Sequence, residues 1–401
     1  MFHEGLSNEL QELSGWQRKL REQYPIITGH PELVYLDSAA TSQKPRTVLD
    51  AAQAYLTTAN ANAGRGTYPW ANRTTAMVER TRQHVKAFLD DPAPEHSGVH
   101  FTSGTTEGLR AVARDWLTDQ LTEGDEILVP FADHQANLEP WLETQRLLEQ
   151  RGITMRLRAL PYQTASGDYD HRALTGVIGP RTRFVAATHI HHVYGGDMNV
   201  HRIREAVGPD VPICLDAAQS IGHLPVSVTE LDVDFVVFSG HKALALPGSG
   251  AVWARNARGR QFRPGGWHGT PNTVGIAALE AALDWLDTAG TDRIARWTTA
   301  LTARLTDRLR HLASYEILGC QASLAAGSPV QRRHGIVTFR HRDIPSDDLG
   351  FILFSHGFMV RADSLCQAGA ERQDGSVRVS LHVYNTAEEV DRLLSVLGTL
   401  D

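Results

Sequence analysis

Short apolar runs alternate with amphipathic stretches along most of this chain. The apolar runs, typical of buried strands, cover 126–130, 153–160, 184–187, 213–215, 235–238 and 251–253. Stretches with apolar residues at helical spacing cover 74–89, 106–117, 141–150, 171–178, 200–207, 273–286 and 291–313. Repeated strand–helix units of this kind predict an α/β fold with a mostly parallel central sheet covered by helices.

The same patterns divide the chain into three parts. Leucines at helical spacing predict an N-terminal helical arm over 1–28 that packs with the last part. The strand–helix units fill a large α/β domain over 29–288. A long helix, strands at 336–339 and 377–380, and a final helix at 387–397 predict a smaller α+β domain over 289–401. The Gly- and Pro-containing stretch 60–71 is predicted to be a loop.

Composition excludes several classes of protein. The chain has 401 residues and a net charge of -7, whereas a nucleic-acid-binding protein normally carries a basic face. The cysteines, Cys214, Cys320 and Cys366, lack metal-ligand spacing and favour a reducing compartment. No apolar signal core or membrane-spanning run is present. We therefore expect a cytoplasmic protein without a membrane anchor.

A lysine stands at the end of one buried run. Phe235 to Phe238 is followed by Ser239-Gly240-His241-Lys242 and then by a Pro/Gly-rich loop. Burial disfavours the charged form of lysine, and lysine is the side chain that forms Schiff bases. This stretch alone is equally consistent with an ordinary surface lysine.

A second turn favours anion binding. The run 99–102 leads through Ser103-Gly104 into Thr105 and Thr106 at the start of a predicted helix. Backbone N–H groups, hydroxyls and the helix dipole there favour a phosphate, although a simple helix cap is the alternative.

Other strand ends carry polar residues too. His134 follows one strand, the His189 to His192 run another, and Asp216 and Gln219 a third. In parallel sheets the carboxyl ends of the strands meet at one edge, where ligands bind. A lone histidine there is more often a packing residue, but the whole set supplies an amine, a carboxylate, a stacking ring and phosphate donors. These groups are the ones that pyridoxal phosphate needs.

Seven motifs in order resemble one family. They are VYLDSAATSQKP (34–45), TSGTTEG (102–108), DHQANLEPW (133–141), DAAQ (216–219), FSGHK (238–242), GTPNT (269–273) and SLHVYNTAEEVD (380–391). The chain resembles fold-type I pyridoxal-phosphate enzymes of the aminotransferase class V group and, within it, cysteine desulfurases of the Suf type. The resemblance implies the transferase fold of that group.

The resemblance also implies roles for single residues. Lys242 would hold the cofactor as a Schiff base and move the substrate's α-proton together with His134. The remaining cofactor contacts would be made by Asp216 at the ring nitrogen, Gln219 at the phenolic oxygen, His134 on the ring face, and Thr105, Thr106, Ser239 and His241 at the phosphate. Thr270 would reach the phosphate of the other subunit, which implies a homodimer with shared sites. Arg378 would bind the substrate carboxylate, with Arg361 and Arg65 as further substrate contacts.

The chain departs from the family pattern in three places. Around the catalytic cysteine position, here Cys366, the family glycine is Asp363 and the family proline is Gly369. Only 256–268 separates the strand after Lys242 from the GTPNT motif, so the family's lid hairpin is largely missing. His192 replaces the asparagine near the phenolic oxygen, where it would retune the cofactor or add a base. No acidic or cysteine residue stands at ligand spacing from these histidines, so no metal site is predicted.

These departures favour cleavage of a C–S bond in a cysteine S-conjugate by a β-lyase, in a specialised pathway. The alternatives are a cysteine desulfurase that forms alanine and a Cys366 persulfide, a class V epimerase, cyclase or decarboxylating enzyme, and a non-enzymatic sulfur-transfer scaffold. Cys366 is equally well explained as a nucleophile or as a residual cysteine. The retained lysine and phosphate hydroxyls argue against the scaffold.

Overall fold

The structure, a computed structural model, describes residues 2–163, 166–256, 261–264, 270–320, 333–363, 365 and 375–401. Its helices are α1 (Phe2–Arg21), α2 (Pro25–Thr28), α3 (Arg46–Thr58), α4 (Pro69–Phe88), α5 (Thr105–Val112), α6 (Glu139–Gln150), α7 (His171–Leu174), α8 (Val200–Val207), α9 (Val228–Leu231), α10 (Thr273–Ala289), α11 (Thr291–Leu309), α12 (Ser346–Ser355) and α13 (Ala387–Gly398).

The strands divide between one large sheet and several smaller ones. They are β1 (Val34–Tyr35), β2 (Ser97–Thr102), β3 (Glu126–Val129), β4 (Arg156–Ala159), β5 (Tyr162–Gln163), β6 (Asp168–Tyr169), β7 (Thr182–Thr188), β8 (Ile213–Asp216), β9 (Phe235–Ser239), β10 (Gly250–Arg255), β11 (Tyr315–Leu318), β12 (Ile336–His341), β13 (Phe358–Met359), β14 (Arg361–Asp363) and β15 (Ser376–Ser380).

The large sheet has seven strands in the order β2-β10-β9-β8-β7-β3-β4. Strands β9, β8, β7, β3 and β4 are parallel to their neighbours within this set, and β10 is antiparallel to both β9 and β2. This arrangement confirms the predicted α/β fold with a mostly parallel central sheet.

Both faces of the large sheet are covered. Along β9, Val236 and Phe238 pack in one apolar cluster, whereas Phe235 and Val237 pack in a second cluster on the opposite face. Because successive side chains of a strand point to opposite faces, a strand covered on both sides reads as one continuous apolar run. That is why the 235–238 run stands out in the sequence.

A second, antiparallel sheet with the order β11-β12-β15-β14 lies in the C-terminal part. Its residues form a separate apolar cluster with α11 and α13. Leu10 and Leu13 of α1 belong to this cluster, whereas Leu20 belongs to the cluster of the large sheet. Helix α1 thus contacts both bodies, and the boundaries at 28/29 and 288/289 stay predictions.

Several predicted element bounds were wrong. The 60–71 stretch is not all loop, because Pro69 begins α4 and its missing N–H is harmless at a first helical position. The helix predicted over 106–117 does end at Leu117, but it is α-helical only to Val112 and continues with wider, π-type turns. The helix predicted at 171–178 ends at Leu174, and the strand predicted at 153–160 is limited to β4. Within the described ranges no helix is long and apolar enough to cross a membrane.

Candidate functional site

The segment before α3 makes hydrogen bonds to the backbone of the turn that contains Lys242. The carbonyl of His241 accepts hydrogen bonds from Ser42 N at 3.1 Å, Ser42 Oγ at 3.0 Å and Lys44 Nζ at 2.8 Å. Leu244, at φ 65°, donates its N–H to Ser42 Oγ at 3.1 Å. These contacts explain why the motif at 34–45 accompanies the lysine motif, since the first fixes the backbone of the second.

Lys242 itself is partly buried and its amine is easily deprotonated. Burial lowers the pKa of Lys242 to about 8, and the positive charges of Arg378 and Arg361 add to the effect, while Asp216 opposes it. An amine with this pKa has a far larger neutral fraction near physiological pH than an ordinary lysine, and the neutral form is the one that forms a Schiff base.

The N-terminus of α5 lies against the same strand end. Thr105 N donates to Ser239 Oγ at 2.8 Å, and the hydroxyl of Thr105 lies 2.8 Å from the same oxygen. Gly104 precedes the helix at φ 154°, and a Cβ built on it would lie 3.1 Å from Ser239 Oγ. Thr106 is exposed in the first turn of the helix. Small residues, hydroxyls and helix N–H groups therefore meet here, which is an arrangement suited to phosphate.

Asp216 is the last residue of β8, the strand that pairs with β9, and Gln219 lies in the turn after it. Asp216 Oδ1 accepts a hydrogen bond from Ala218 N at 2.9 Å. Burial raises the pKa of Asp216 to about 6, with the charge of Lys242 acting in the opposite direction. Gln219 Nε2 donates to the carbonyl of Ala39 at 2.9 Å, which fixes the orientation of its amide.

His134 and His192 face each other in the site. Their ring centroids are 5.0 Å apart with an interplanar angle of 79°. His134 Nδ1 accepts a hydrogen bond from Ala136 N at 3.1 Å, so Nε2 carries the proton of the neutral ring. Burial lowers the pKa of His134 to about 4, and the charge of Lys242 adds to this, so the ring is neutral at physiological pH.

Beneath His192 lies a buried polar group that sequence reasoning missed. His191 Nε2 lies 3.5 Å from Asp133 Oδ1, and both side chains are fully buried. Tyr169 donates its hydroxyl proton to Asp133 Oδ2 at 2.6 Å. Burial raises the pKa of Asp133 to about 6, while the hydrogen bonds from Tyr169 and Thr188 lower it. The only available signal was the position of Asp133 directly before His134.

Two of the three predicted substrate arginines are each paired with a carboxylate. Arg378 donates to Asp37 Oδ1 at 2.9 Å and to the carbonyl of His192 at 3.0 Å. Arg361 Nε lies 3.0 and 2.9 Å from the two oxygens of Asp363. The sequence did not indicate either pairing, because residues far apart in the chain or on a short strand make them.

Other predicted site residues lie apart from this group or outside the described residues. Arg65 is exposed in the segment before α4. Thr270 is exposed too, and it borders a cleft of about 520 Å³ on the outer side of β2 and β10. Cys366, Gly369 and the remainder of the shortened segment at 257–260 and 265–269 lie outside the described residues. In the described part of the chain, no cluster of three or more His, Cys, Asp or Glu residues is arranged to hold a metal ion.

The side chains that do come together fit pyridoxal phosphate. Lys242 supplies an amine of lowered pKa, Asp216 a buried carboxylate, and the α5 N-terminus with Ser239 a cradle that a Cβ at Gly104 would narrow. His134 adds a neutral ring beside them. Each cofactor function thus has a matching group at one edge of the sheet.

Comparisons with known proteins point the same way. The family model described as aminotransferase class-V matches residues 34–393. A probable cysteine desulfurase from Vibrio cholerae serotype O1 is 32% identical, over 94% of this chain and 96% of the relative. A cysteine desulfurase from Salmonella agona is also 32% identical, over 94% of this chain and 97% of the relative.

Solved structures agree in fold. The apo cysteine desulfurase from Thermococcus onnurineus NA1 superimposes with a TM-score of 0.82 at 27% identity, covering 96% of this chain and 97% of that one. The cysteine desulfurase CsdA from Escherichia coli, in an S-sulfonic acid form, gives a TM-score of 0.79 at 28% identity, covering 96% and 98%. The chain therefore belongs to the aminotransferase class-V family and is similar, over nearly its whole length, to cysteine desulfurases.

Proposed function

We propose that the protein is a pyridoxal-phosphate enzyme that cleaves the C–S bond of cysteine, as a cysteine desulfurase. The observation that carries this proposal is the position and lowered pKa of Lys242. Its pKa is about 8, and the carboxylate of Asp216 and the charges of two arginines act on it in opposite directions. The similarity to proteins named cysteine desulfurase supports this activity better than the β-lyase favoured from the sequence.

The cofactor would be held by residues whose contacts are described above. Lys242 Nζ would bind it covalently, Asp216 would accept a hydrogen bond from the protonated ring nitrogen, and His134 would cover the ring. The phosphate would lie at the N-terminus of α5, beside Ser239, with Thr106 and His241 as further donors. When bound, pyridoxal phosphate withdraws the electron pair released at the substrate's α-carbon.

The protein's own residues would orient the substrate and move its protons. Arg378 would bind the α-carboxylate, because a buried guanidinium can donate to a carboxylate through two nitrogens. Once displaced from the cofactor, Lys242 would carry the α-proton as a general base. The neutral His134, with its proton on Nε2, would be the second group able to exchange a proton there.

Sulfur removal requires a nucleophile, for which Cys366 is the candidate. Its thiolate sulfur would form an S–S bond to the substrate sulfur while the Cβ–S bond breaks. The electron pair of that bond would remain on Cβ, which takes up a proton to give alanine. The outer sulfur of the persulfide on Cys366 would then be transferred to an acceptor thiolate as the S–S bond breaks, and this would release the Cys366 thiolate.

A second candidate activity is the β-elimination of a thiol from a cysteine S-conjugate. The observation that favours it is the ion pair between Arg361 and Asp363. Asp363 stands where the family has glycine, and its carboxylate binds an arginine that would otherwise be available to the substrate. This reaction needs no cysteine, because the thiol leaves with the electron pair of the Cβ–S bond, and pyruvate and ammonia are the final products.

Two further features belong to the proposal. Thr270 is exposed beside the cleft on β2 and β10, where a second copy of the chain would place it near the partner's α5, as the family's homodimers do. We also propose a cytoplasmic location and a small amino-acid substrate, with no nucleic-acid partner, in keeping with the net charge of -7.

The deciding experiment compares Cys366→Ala with the unchanged protein on L-cysteine and on a bulky cysteine S-conjugate. A desulfurase loses the formation of alanine and sulfide from L-cysteine when Cys366 is removed. Cys320→Ala serves as the control for removal of a buried thiol from the apolar cluster that contains Leu365. Full activity of Cys366→Ala on the conjugate, with pyruvate as product, would establish the lyase instead. Lys242→Ala must abolish both activities.

A further inference from the structure

Two hydrogen bonds from opposite directions converge on the main chain of Leu365. His192 Nε2 lies 3.0 Å from the Leu365 carbonyl oxygen, and since a carbonyl only accepts, Nε2 carries the proton. Leu365 N donates to Asp363 Oδ1 at 2.6 Å. Both His192 and Asp363 are departures from the family pattern, so two apparently separate changes act on one residue.

Leu365 itself is held in a conformation that leucine rarely adopts. Its φ is 56°, in the left-handed region, where a Cβ is crowded by the following carbonyl. The side chain is 2% exposed and packs with Val193, Tyr194 and Cys320. A strained residue persists only where its surroundings determine its geometry, and here the packing and both hydrogen bonds do so.

The other nitrogen of His192 is left as an acceptor. His192 Nδ1 is buried and has no hydrogen-bond partner among the described residues. The ring stacks on His191 at 5.0 Å and faces His134 at 5.0 Å. Burial, together with the nearby positive charges of Arg378 and Lys242, lowers the pKa of His192. The ring is therefore neutral, and Nδ1 presents a lone pair beside the Lys242 site.

We infer that His192 Nδ1 accepts a hydrogen bond from an N–H or O–H group of the ligand bound at Lys242, and that Asp363 is the positioning residue that holds Leu365 so that this nitrogen stays unprotonated. An asparagine at this position can turn either its N–H₂ or its oxygen to the ligand. A histidine with a fixed tautomer offers only an acceptor, so it selects a ligand that presents a donor.

The inference rests on the proposed function only for the identity of the ligand. The donor is either the ring hydroxyl of the cofactor or the amino group of the substrate, and both are N–H or O–H groups. The tautomer of His192 is a property of the protein without ligand, so it can be measured even if neither cysteine nor an S-conjugate is turned over.

The first test is nitrogen NMR of cofactor-free protein with ¹⁵N-labelled histidine, in which His192→Asn identifies the His192 signals. We expect a protonated Nε2 and an unprotonated Nδ1, and a mixture of both tautomers in Asp363→Gly. Asp170→Gly is the matched control, because Asp170 Oδ1 also accepts a hydrogen bond from the N–H two residues later, at 3.1 Å, but caps α7 rather than holding Leu365. A protonated Nδ1 in the unchanged protein overturns the inference. A His192 tautomer that is the same in the unchanged protein and in Asp363→Gly overturns it too.

The second test measures ligand affinity. His192→Phe keeps a buried ring but removes the acceptor, and His192→Asn restores an oxygen near the position of Nδ1. His192→Phe should lower one of two affinities by about five-fold: that of cofactor-free protein for pyridoxal phosphate, or that of holoenzyme for L-alanine. His192→Asn should recover most of the lost affinity. If the cofactor hydroxyl is the donor, an analogue of pyridoxal phosphate that lacks this hydroxyl should bind the unchanged protein and His192→Phe with equal affinity.

His341→Phe is the control for this second test, since His341 Nε2 also lies 3.1 Å from a backbone carbonyl, that of Leu400, far from Lys242. Unchanged affinity of His192→Phe for both pyridoxal phosphate and L-alanine overturns the acceptor role. Loss of turnover with the tautomer and affinity pattern intact would instead refute the proposed reaction and leave this inference standing.

Discussion

Arg378 donates from Nη2 to Asp37 Oδ1 at 2.9 Å, although only 2% of the arginine is exposed. Asp37 lies in the segment after β1, and Arg378 lies on β15, so the pair joins the N-terminal strand motif to the C-terminal sheet. A buried guanidinium without a carboxylate would be costly. Asp37 thus keeps Arg378 charged and oriented, as the proposed binding of a substrate carboxylate by Arg378 requires.

Arg378→Lys should raise KM for the amino-acid substrate by about 10- to 100-fold, with a smaller effect on kcat. A lysine ammonium can satisfy Asp37 but cannot also present a planar pair of donors to a second carboxylate. Steady-state kinetics on the active substrate measures this. Arg304→Lys is the control, because Arg304 makes a two-point pair with Asp391, at 2.8 and 2.7 Å, on a helix far from Lys242. An unchanged KM would mean that Arg378 serves only Asp37.

The lowered pKa of Lys242 predicts the pH dependence of cofactor capture. Only the neutral amine attacks an aldehyde, so the capture rate should rise with pH and level off above about pH 8. With an ordinary lysine the capture rate would continue to rise up to about pH 10.5. Asp216→Asn removes a negative charge that raises the pKa of Lys242, so the midpoint should move to lower pH. Stopped-flow absorbance of cofactor-free protein mixed with pyridoxal phosphate measures both. A midpoint near 10, or one that Asp216→Asn moves upward, would contradict this account.

The sequence predicts the sheet well because its strands are buried on both faces. Runs such as 235–238 have no polar residue to interrupt them, and the polar residues that follow them mark the edge where ligands bind. Helix ends were predicted less well, since Pro69 reads as a loop signal although it begins α4. The family motifs pointed to Lys242 and Asp216, and the structure brings these two side chains into electrostatic contact.

The parts of the site that were missed depend on distant contacts. Nothing in the local pattern around Asp363 shows that it pairs with Arg361 and also holds Leu365 N. Asp133, buried beside His191, is hydrogen-bonded by Tyr169, which lies on β6. Such pairings follow from packing between elements, which hydrophobic periodicity does not encode.

Asp133→Asn should stabilise the protein at neutral pH and have little effect near pH 4. Burial raises the pKa of Asp133 to about 6, above the 3.8 of an exposed aspartate, so the folded state binds this proton more tightly than the unfolded state does. Asp133 therefore favours the folded state most at low pH, and its contribution to the free energy of unfolding declines as the pH rises from about 4 to 6. Asparagine keeps an oxygen for the hydroxyl of Tyr169 and avoids the buried charge.

The gain from Asp133→Asn at pH 7 should reach up to roughly 3 kcal/mol, and it is measured as the difference in unfolding free energy between the two proteins across pH 4–8. Asp125→Asn is the opposite control: the pKa of Asp125, although burial raises it, is lowered overall by hydrogen bonds from Thr122 and Arg183. That change should destabilise the protein at neutral pH. A pH-independent difference for Asp133→Asn would show that the pKa of Asp133 is the same in the folded and unfolded states, which would contradict this account.

Tyr24 and Tyr384 offer a matched pair of hydroxyl deletions where α1 meets both sheets. Their rings pack edge to face at 4.9 Å, and both are fully buried. The hydroxyl of Tyr24 has no hydrogen-bond partner within the described segments, whereas that of Tyr384 lies 2.7 Å from Ser38 Oγ and accepts from Gln43 N at 3.2 Å. Tyr24→Phe should therefore be neutral or stabilise the protein by about 1 kcal/mol, and Tyr384→Phe should destabilise it by about 1–2 kcal/mol. Denaturant unfolding of the cofactor-free variants tests the ranking, and a larger loss for Tyr24→Phe than for Tyr384→Phe would mean that the Tyr24 hydroxyl is bonded in solution.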